Sequence, residues 1–250
     1  MKIDLLFCAS LLDELHMRDK NVVVIDVLRS STTIATALRN GAREFIPVDS
    51  IEKAVKVSGS LFGDVTLRGG ERNGRMIQGF NLGNSPSEYT EAVVKGKSII
   101  FCTTNGSVAL VRCRHAKNLI VGTFVNLGAV VEFLASLRED VILVCAGRPL
   151  AVGGFSLEDT VCAGMMIAEL ELHERLELEL SDPSAAARSL YRTHGRSIGK
   201  MLKGSEHGRY LKEIGFAADL NLCAGIDTVP VLPMWQETGV RLGKGQQSSS

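Results

Sequence analysis

Neither sign of charge is in excess in this chain: across 250 residues, 28 lysines and arginines balance 28 aspartates and glutamates. There is no basic field to attract nucleic acid and no acidic run to act as a solvating tail. Phe, Trp and Tyr together make up 5% of the residues, too few for base-stacking platforms. The six cysteines (Cys8, Cys102, Cys113, Cys145, Cys162 and Cys223) include no C-x-x-C pair, which argues against a structural zinc site. Cys8, Cys102, Cys145 and Cys162 stand in apolar surroundings, as buried free thiols do. No apolar run is long enough to span a bilayer. Met-Lys-Ile-Asp at the start lacks a signal-peptide pattern, so the expected compartment is reduced and cytoplasmic.

Several catalytic signatures are missing as well. There is no G-x-x-x-x-G-K-[ST] loop and no G-x-G-x-x-G after the first strand, which argues against a P-loop and against NAD. No G-x-S-x-G elbow occurs. No cysteine has an arginine six positions on, Asp26-Val27-Leu28 is not a D-x-D, and Arg192-Thr193-His194-Gly195 only approximates Arg-His-Gly.

What is present is an alternation of short apolar runs with helical stretches. Strands are expected near 3–8, 22–28, 45–48, 65–67, 98–102, 119–121 and 141–145. Helices are expected at 34–40, 51–57, 108–111, 126–137 and from Ser156 to about 173. Residues 174–215 read as helical and charged, and Val229–Leu232 as a late strand. The rhythm predicts an α/β fold: mainly parallel sheets covered by helices on both faces, as two α/β lobes sharing a cleft. The expected division is an N-terminal α/β lobe over 1–150, a C-terminal helix-rich α/β portion over 151–242, and a disordered tail over 243–250.

The chain is organised around 22–33, Val-Val-Val-Ile-Asp-Val-Leu-Arg-Ser-Ser-Thr-Thr. A β-branched run ends in Asp26, Arg29, Ser30, Ser31, Thr32 and Thr33, and a helix comes next. Ligands of doubly wound sheets bind at such strand ends. The arrangement returns at 98–106, where a strand ends in Thr103-Thr104-Asn105-Gly106. Glu71 and Arg72 lie in a polar, Gly-rich segment over 69–84 that reads as a functional loop. Glu158 and Asp159 open a helix, where acids also suit the dipole. Carboxylates at several strand ends can converge on one hard divalent cation. Arginines fork onto phosphate or sulfonate, and Asn, Thr and turn N–H groups donate to anions. These are the parts of a metal-assisted phosphoryl-transfer site.

The same stretches resemble the 2-phosphosulfolactate phosphatase (ComB-like) family. The resemblance is carried by Val-Ile-Asp-Val-Leu-Arg-Ser-Ser-Thr-Thr (24–33), Gly-Gly-Glu-Arg-Asn-Gly (69–74), Gly-Phe-Asn-Leu-Gly-Asn-Ser-Pro (79–86) and Thr-Thr-Asn-Gly (103–106). Cys-Ala-Gly (145–147), Glu-Asp-Thr-Val-Cys-Ala-Gly (158–164) and Ser-x-His-Gly (205–208) complete it in family order. The family pattern commonly has Ala where Ser30 stands and Asp where Asn81 stands. The resemblance implies a Mg2+-dependent hydrolase similar to the enzyme that converts 2-phosphosulfolactate to 3-sulfolactate and phosphate, a step of coenzyme M biosynthesis. It implies a small anionic phosphorylated substrate, with no nucleic-acid or membrane partner, and leaves a homodimer open.

On that reading Asp26 is the central carboxylate, as a Mg2+ ligand or as a nucleophile. Glu158 and Asp159 are further metal ligands, and Glu71 is a catalytic or water-orienting acid. Arg29 and Arg72 clamp phosphate or sulfonate, and Thr104, Asn105, Gly106, Ser31 and Thr32 bind substrate. His207 is the candidate general acid for the leaving alkoxide. A transferase or lyase with the same clamps, and a non-catalytic anion-binding module, remain as alternatives.

Overall fold

The computed structural model describes residues 1–60, 65–173 and 176–243. In chain order the elements begin with β1 (Lys2–Leu6), β2 (Asn21–Ile25), α1 (Ser30–Arg39), β3 (Glu44–Val48) and α2 (Ile51–Ser60). Next come β4 (Thr66–Arg72), β5 (Arg75–Met76), α3 (Glu91–Val94), β6 (Ser98–Cys102), α4 (Gly106–Arg112), β7 (Asn118–Gly122), α5 (Leu127–Leu137) and β8 (Val141–Cys145). The remainder is α6 (Leu157–Glu171), β9 (Glu179–Leu180), α7 (Asp182–His194), α8 (Ile198–Gly204), α9 (Glu206–Glu213), α10 (Asp219–Cys223), β10 (Pro233–Gln236) and β11 (Gly239–Leu242).

The strands form one sheet of 11, in the order β5-β4-β6-β3-β11-β10-β7-β2-β8-β1-β9. It contains two parallel blocks, β4-β6-β3 and β7-β2-β8-β1-β9, joined by the antiparallel hairpin β10–β11. The fold is therefore the expected α/β class, mostly parallel and flanked by helices. Residues after 150 supply β9 at one edge and the hairpin at the centre.

Period-two alternation divides the core. Val22 and Val24 of β2 pack in one cluster with Ile34, Ala37 and Leu38 of α1, Ala109 of α4, and Phe45 and Phe101 of the other block. Val23 and Ile25 face the opposite way, among Val130 of α5, Val161 and Met166 of α6, and Leu202 of α8. Both faces of β2 are thus covered, and all five of its residues are buried. That is why β2 reads as an unbroken β-branched run rather than an alternating one.

Some elements differ from the sequence expectation. α1 begins at Ser30, so the hydroxyls of Ser30 to Thr33 lie inside its first turn. β4 runs on through Gly69-Gly70-Glu71-Arg72, which the sequence suggested were loop. Gly70 has φ +142°, and a Cβ there would lie 1.9 Å from the Cys102 carbonyl oxygen. Only glycine lets β4 pair with β6 so closely, so the composition that looked like loop is what this strand requires.

The late strand expected over Val229–Leu232 is instead the hairpin over 233–242. Pro230 lacks an N–H for a ladder, while Val229 N–H donates to Val125 O (2.8 Å). Arg241 of β11 fixes the hairpin to β3 by donating to Glu44 Oε2 from Nε (2.9 Å) and Nη2 (2.7 Å), while Ser98 Oγ donates to Glu44 Oε1 (2.6 Å). Burial would raise the Glu44 carboxyl, but the Ser98 and Arg241 bonds outweigh it and hold it below the usual range.

The tail expectation falls outside the described residues except for Gly243, whose N–H donates to Leu232 O (2.8 Å). Glu174 and Arg175 of the expected helical stretch also lie outside them. All six cysteines are free and buried. No helix among the described residues is long and apolar enough to cross a membrane.

Candidate active site

The end of β2 meets the ends of β4, β6 and β8 around a pocket of about 230 Å3, below the roughly 300–1,000 Å3 typical of drug-sized ligands. Asp26, Arg29, Glu71, Thr104, Asn105 and His207 of the expected set line it.

Asp26 comes directly after β2. Ser31 Oγ accepts its N–H (2.9 Å), and Asp26 Oδ1 accepts the Ser30 N–H (3.2 Å). The Ser30 side chain also hydrogen-bonds the Asp26 carboxylate. Burial pushes the Asp26 carboxyl above the usual aspartate range, with the Ser30 bond and the charge of His207 offsetting only part of it. Gly106, the first residue of α4, lies against this group: a Cβ there would stand 2.4 Å from Asp26 Oδ2 and 2.6 Å from Ser30 Oγ. The glycine makes room for the carboxylate.

Glu158 and Asp159 occupy the first turn of α6, with Ser156 Oγ accepting the Asp159 N–H (3.3 Å) as its N-cap. Both are almost fully buried, and neither lines the pocket. Glu158 Oε1 lies 3.4 Å from His207 Nδ1. Burial would raise Glu158, but the hydrogen bond and charge of His207 prevail and lower it. His207 also lines the pocket.

Asp159 accepts Val27 N–H at Oδ1 (2.8 Å) and Gly147 N–H at Oδ2 (3.2 Å), tying the ends of β2 and β8 together. Burial, then repulsion from Asp26 and Glu158, pushes it well above the usual range.

The arginines differ from their expected part as clamps. Arg29 is buried: Nη1 donates to Asp219 Oδ2 (2.8 Å), Nη2 donates to Gly74 O (2.6 Å), and the guanidinium lies 4.3 Å from the Phe216 ring centre. Asp219 Oδ1 also accepts Ser85 Oγ (2.6 Å). Arg72 does not line the pocket, and it donates to Glu71 O (2.9 Å) and Cys102 Sγ (3.2 Å). Burial raises the Cys102 thiol despite this neighbour.

Glu71 braces two turns, with Oε1 accepting Thr104 N–H (2.8 Å) and Oε2 accepting Gly74 N–H (2.8 Å). One donor of the expected anion nest is therefore already engaged. Ser31 and Thr32, expected at the substrate, do not line the pocket. Ser31 holds Asp26, and Thr32 Oγ1 donates to Val27 O (3.0 Å).

Arg148, Asn84 and Tyr210 are among the lining residues that sequence reasoning did not assign to the site. Arg148 stands beyond the end of β8 as Asp26 stands beyond the end of β2, so its strand-end position was an available signal. Asn84, 5% exposed, has a buried Oδ1 with no partner among the described residues. Tyr210 lies one turn after His207 on α9, and its hydroxyl donates to Asn73 O (2.9 Å). Asn84 ends the 69–84 segment read as a functional loop, whereas the sequence carried no signal for Tyr210.

Among the described residues no three His, Cys, Asp or Glu side chains form a ready metal-ligating group. Mg2+ does not require one, because it is commonly held by one or two carboxylates, waters and a substrate phosphate. Asp26 fits that demand, as a buried carboxylate that lines the pocket. Asp159 and Glu158 fit it less well, since their oxygens already serve backbone N–H groups and His207.

The 2-phosphosulpholactate phosphatase family model matches residues 7–238. A "Probable 2-phosphosulfolactate phosphatase" of Caldanaerobacter subterraneus subsp. tengcongensis is 38% identical over 230 residues, 92% of this chain and 93% of the relative. The protein of that name in Symbiobacterium thermophilum is 42% identical over 220 residues (88% and 93%). Its counterpart in Clostridium acetobutylicum is 37% identical over 235 residues (94% and 97%). On both the family match and these relatives, the chain belongs to the 2-phosphosulpholactate phosphatase family.

Proposed function

We propose that this chain is a Mg2+-dependent phosphomonoester hydrolase, acting on 2-phospho-3-sulfolactate to release 3-sulfolactate and phosphate, the step the family resemblance connects with coenzyme M biosynthesis. The observation that carries the reading is a buried Asp26 and a His207 held at Glu158, both lining one small pocket. The Asp26 carboxylate would hold the metal, which when bound supplies positive charge to the phosphoryl oxygens.

The residues of the chain provide the rest. As water forms a new bond to phosphorus and the ester P–O bond breaks, His207 protonates the leaving alkoxide, and Glu158 holds the imidazole in orientation. Asp159 keeps the ends of β2 and β8 in register, so Asp26 stays fixed relative to the pocket. Thr104 and Asn105 offer neutral donors to the phosphoryl group. Glu71 and Arg29 brace the β4–β5 turn from two sides, through Gly74 N–H and Gly74 O.

The test is phosphate release from 2-phosphosulfolactate by the whole chain in Mg2+, in EDTA, and after Asp26→Asn. Release that stops with EDTA and with Asp26→Asn supports the reading. Release unaffected by EDTA discards the metal, and no release from any small phosphorylated acid discards the hydrolase.

A further inference from the structure

The segment after β8 forms part of the pocket wall. It leaves the sheet through Gly147 (φ +68°) and turns back through Gly153 and Gly154 (φ +92° and +71°). Arg148 N–H donates to Gly154 O (2.9 Å) and closes the loop. Its guanidinium Nη1 lies 2.5 Å from Glu206 Oε2; the Arg148 side chain is 24% exposed and that of Glu206 70%.

The other two basic side chains that line the pocket are held differently. Arg29 pairs with Asp219, the side chains being 1% and 3% exposed. His207 pairs with Glu158, which is 2% exposed. Removing either partner would leave a carboxylate buried and unpaired. Glu206 stands in water and is stable without its partner. Arg148 is thus the lining cation, among the described residues, that can change partners at little loss.

The pocket otherwise presents Asp26 and Glu71 to whatever enters. A phosphomonoester with a further acidic group brings more negative charge than Asp26-bound metal alone would balance.

We propose that Arg148 is the specificity residue for the non-phosphoryl acidic group of the substrate, a carboxylate or a sulfonate, which displaces Glu206 from its guanidinium. This rests on the phosphatase reading above. Arg148 thereby selects phosphomonoesters that carry a second anion, and Glu206 holds it in reserve when the pocket is empty.

The experiment is steady-state phosphate release by the whole chain in Mg2+, comparing Arg148→Gln, Arg148→Lys and Glu206→Gln with the wild type. The substrates are 2-phosphosulfolactate, 2-phospholactate and p-nitrophenyl phosphate. Arg148→Gln should lower kcat/KM on 2-phosphosulfolactate roughly ten- to a hundredfold more than on p-nitrophenyl phosphate, the loss of a charge-assisted pair, mainly through KM. Lys should restore part of it, and Glu206→Gln should lower KM for the doubly acidic substrate. A parallel loss on 2-phospholactate assigns the carboxylate; its absence there assigns the sulfonate. Equal losses on all three substrates overturn the proposal.

If the wild type hydrolyses none of them, the phosphatase reading fails by itself, and calorimetry with 3-sulfolactate decides about Arg148. Wild-type binding that Arg148→Gln weakens about tenfold supports its part as an anion site. No binding, or equal binding, overturns it.

Discussion

Replacing Arg29 tests whether it is a strut or a substrate clamp. Its side chain is 1% exposed and that of Asp219 3%. Arg29→Met leaves the Asp219 carboxylate buried with Ser85 Oγ as its remaining donor and leaves Gly74 O without the guanidinium. Breaking a buried pair on one side costs about 3–5 kcal/mol, against a total stability of roughly 5–15 kcal/mol for a domain. For a chain of this length that corresponds to a Tm lower by roughly 6–20 °C. Asp219→Asn should cost a similar amount by stranding the guanidinium. The double variant should lose at least about 2 kcal/mol less than the sum, because each single change removes the same pair.

Arg148→Met is the control: its partner is exposed, and the expected loss is about 0–1 kcal/mol. Urea unfolding monitored by circular dichroism measures all four proteins. An Arg29→Met loss below about 1 kcal/mol would refute the strut. Abolished turnover in that stable variant would return Arg29 to the substrate.

Four further outcomes are expected. Mg2+ at a hundred times its Kd should raise Tm by roughly 5–11 °C, and the shift should vanish in Asp26→Asn; an equal shift in that variant would place the metal elsewhere. Gly106→Ala forces a methyl against Asp26 Oδ2, so phosphate release should collapse through kcat while the loss of stability stays near 1–3 kcal/mol; near-normal turnover would mean that α4 can yield. His207→Gln should lower kcat on alkyl phosphates by roughly 10²–10⁴ and far less on p-nitrophenyl phosphate, whose leaving group needs no proton; equal losses would remove His207 as the acid. Glu44 is held below its ordinary 4.5, so the stability it contributes is present above that pH and is lost as pH falls through the folded value. Arg241→Leu should therefore flatten the acid limb of the urea midpoint, and an unchanged limb would show that Glu44 does not anchor the hairpin.

Local chemistry made much of this legible. The unbroken runs of β2, β6 and β8 announced strands covered on both faces, and residues just beyond each strand end reach the pocket: Asp26, Thr104 and Arg148. Ser156 was recognisable as a cap because capping involves only neighbours along the chain. Gly70 misled, since a glycine that permits close strand pairing has the same composition as a loop.

By itself, then, the sequence determined the alternation of strands and helices, the position of Asp26 at a strand end and the family motifs, because these depend on periodicity and adjacency. Tertiary structure alone decided which groups remain free. Arg29 meets Asp219, 190 residues away, and Glu158 meets His207. The C-terminal hairpin enters the sheet between β3 and β7. Whether an arginine braces the fold or faces a ligand depends on which distant carboxylate neutralises it and how deeply that carboxylate is buried, and neither is encoded in the residues beside it.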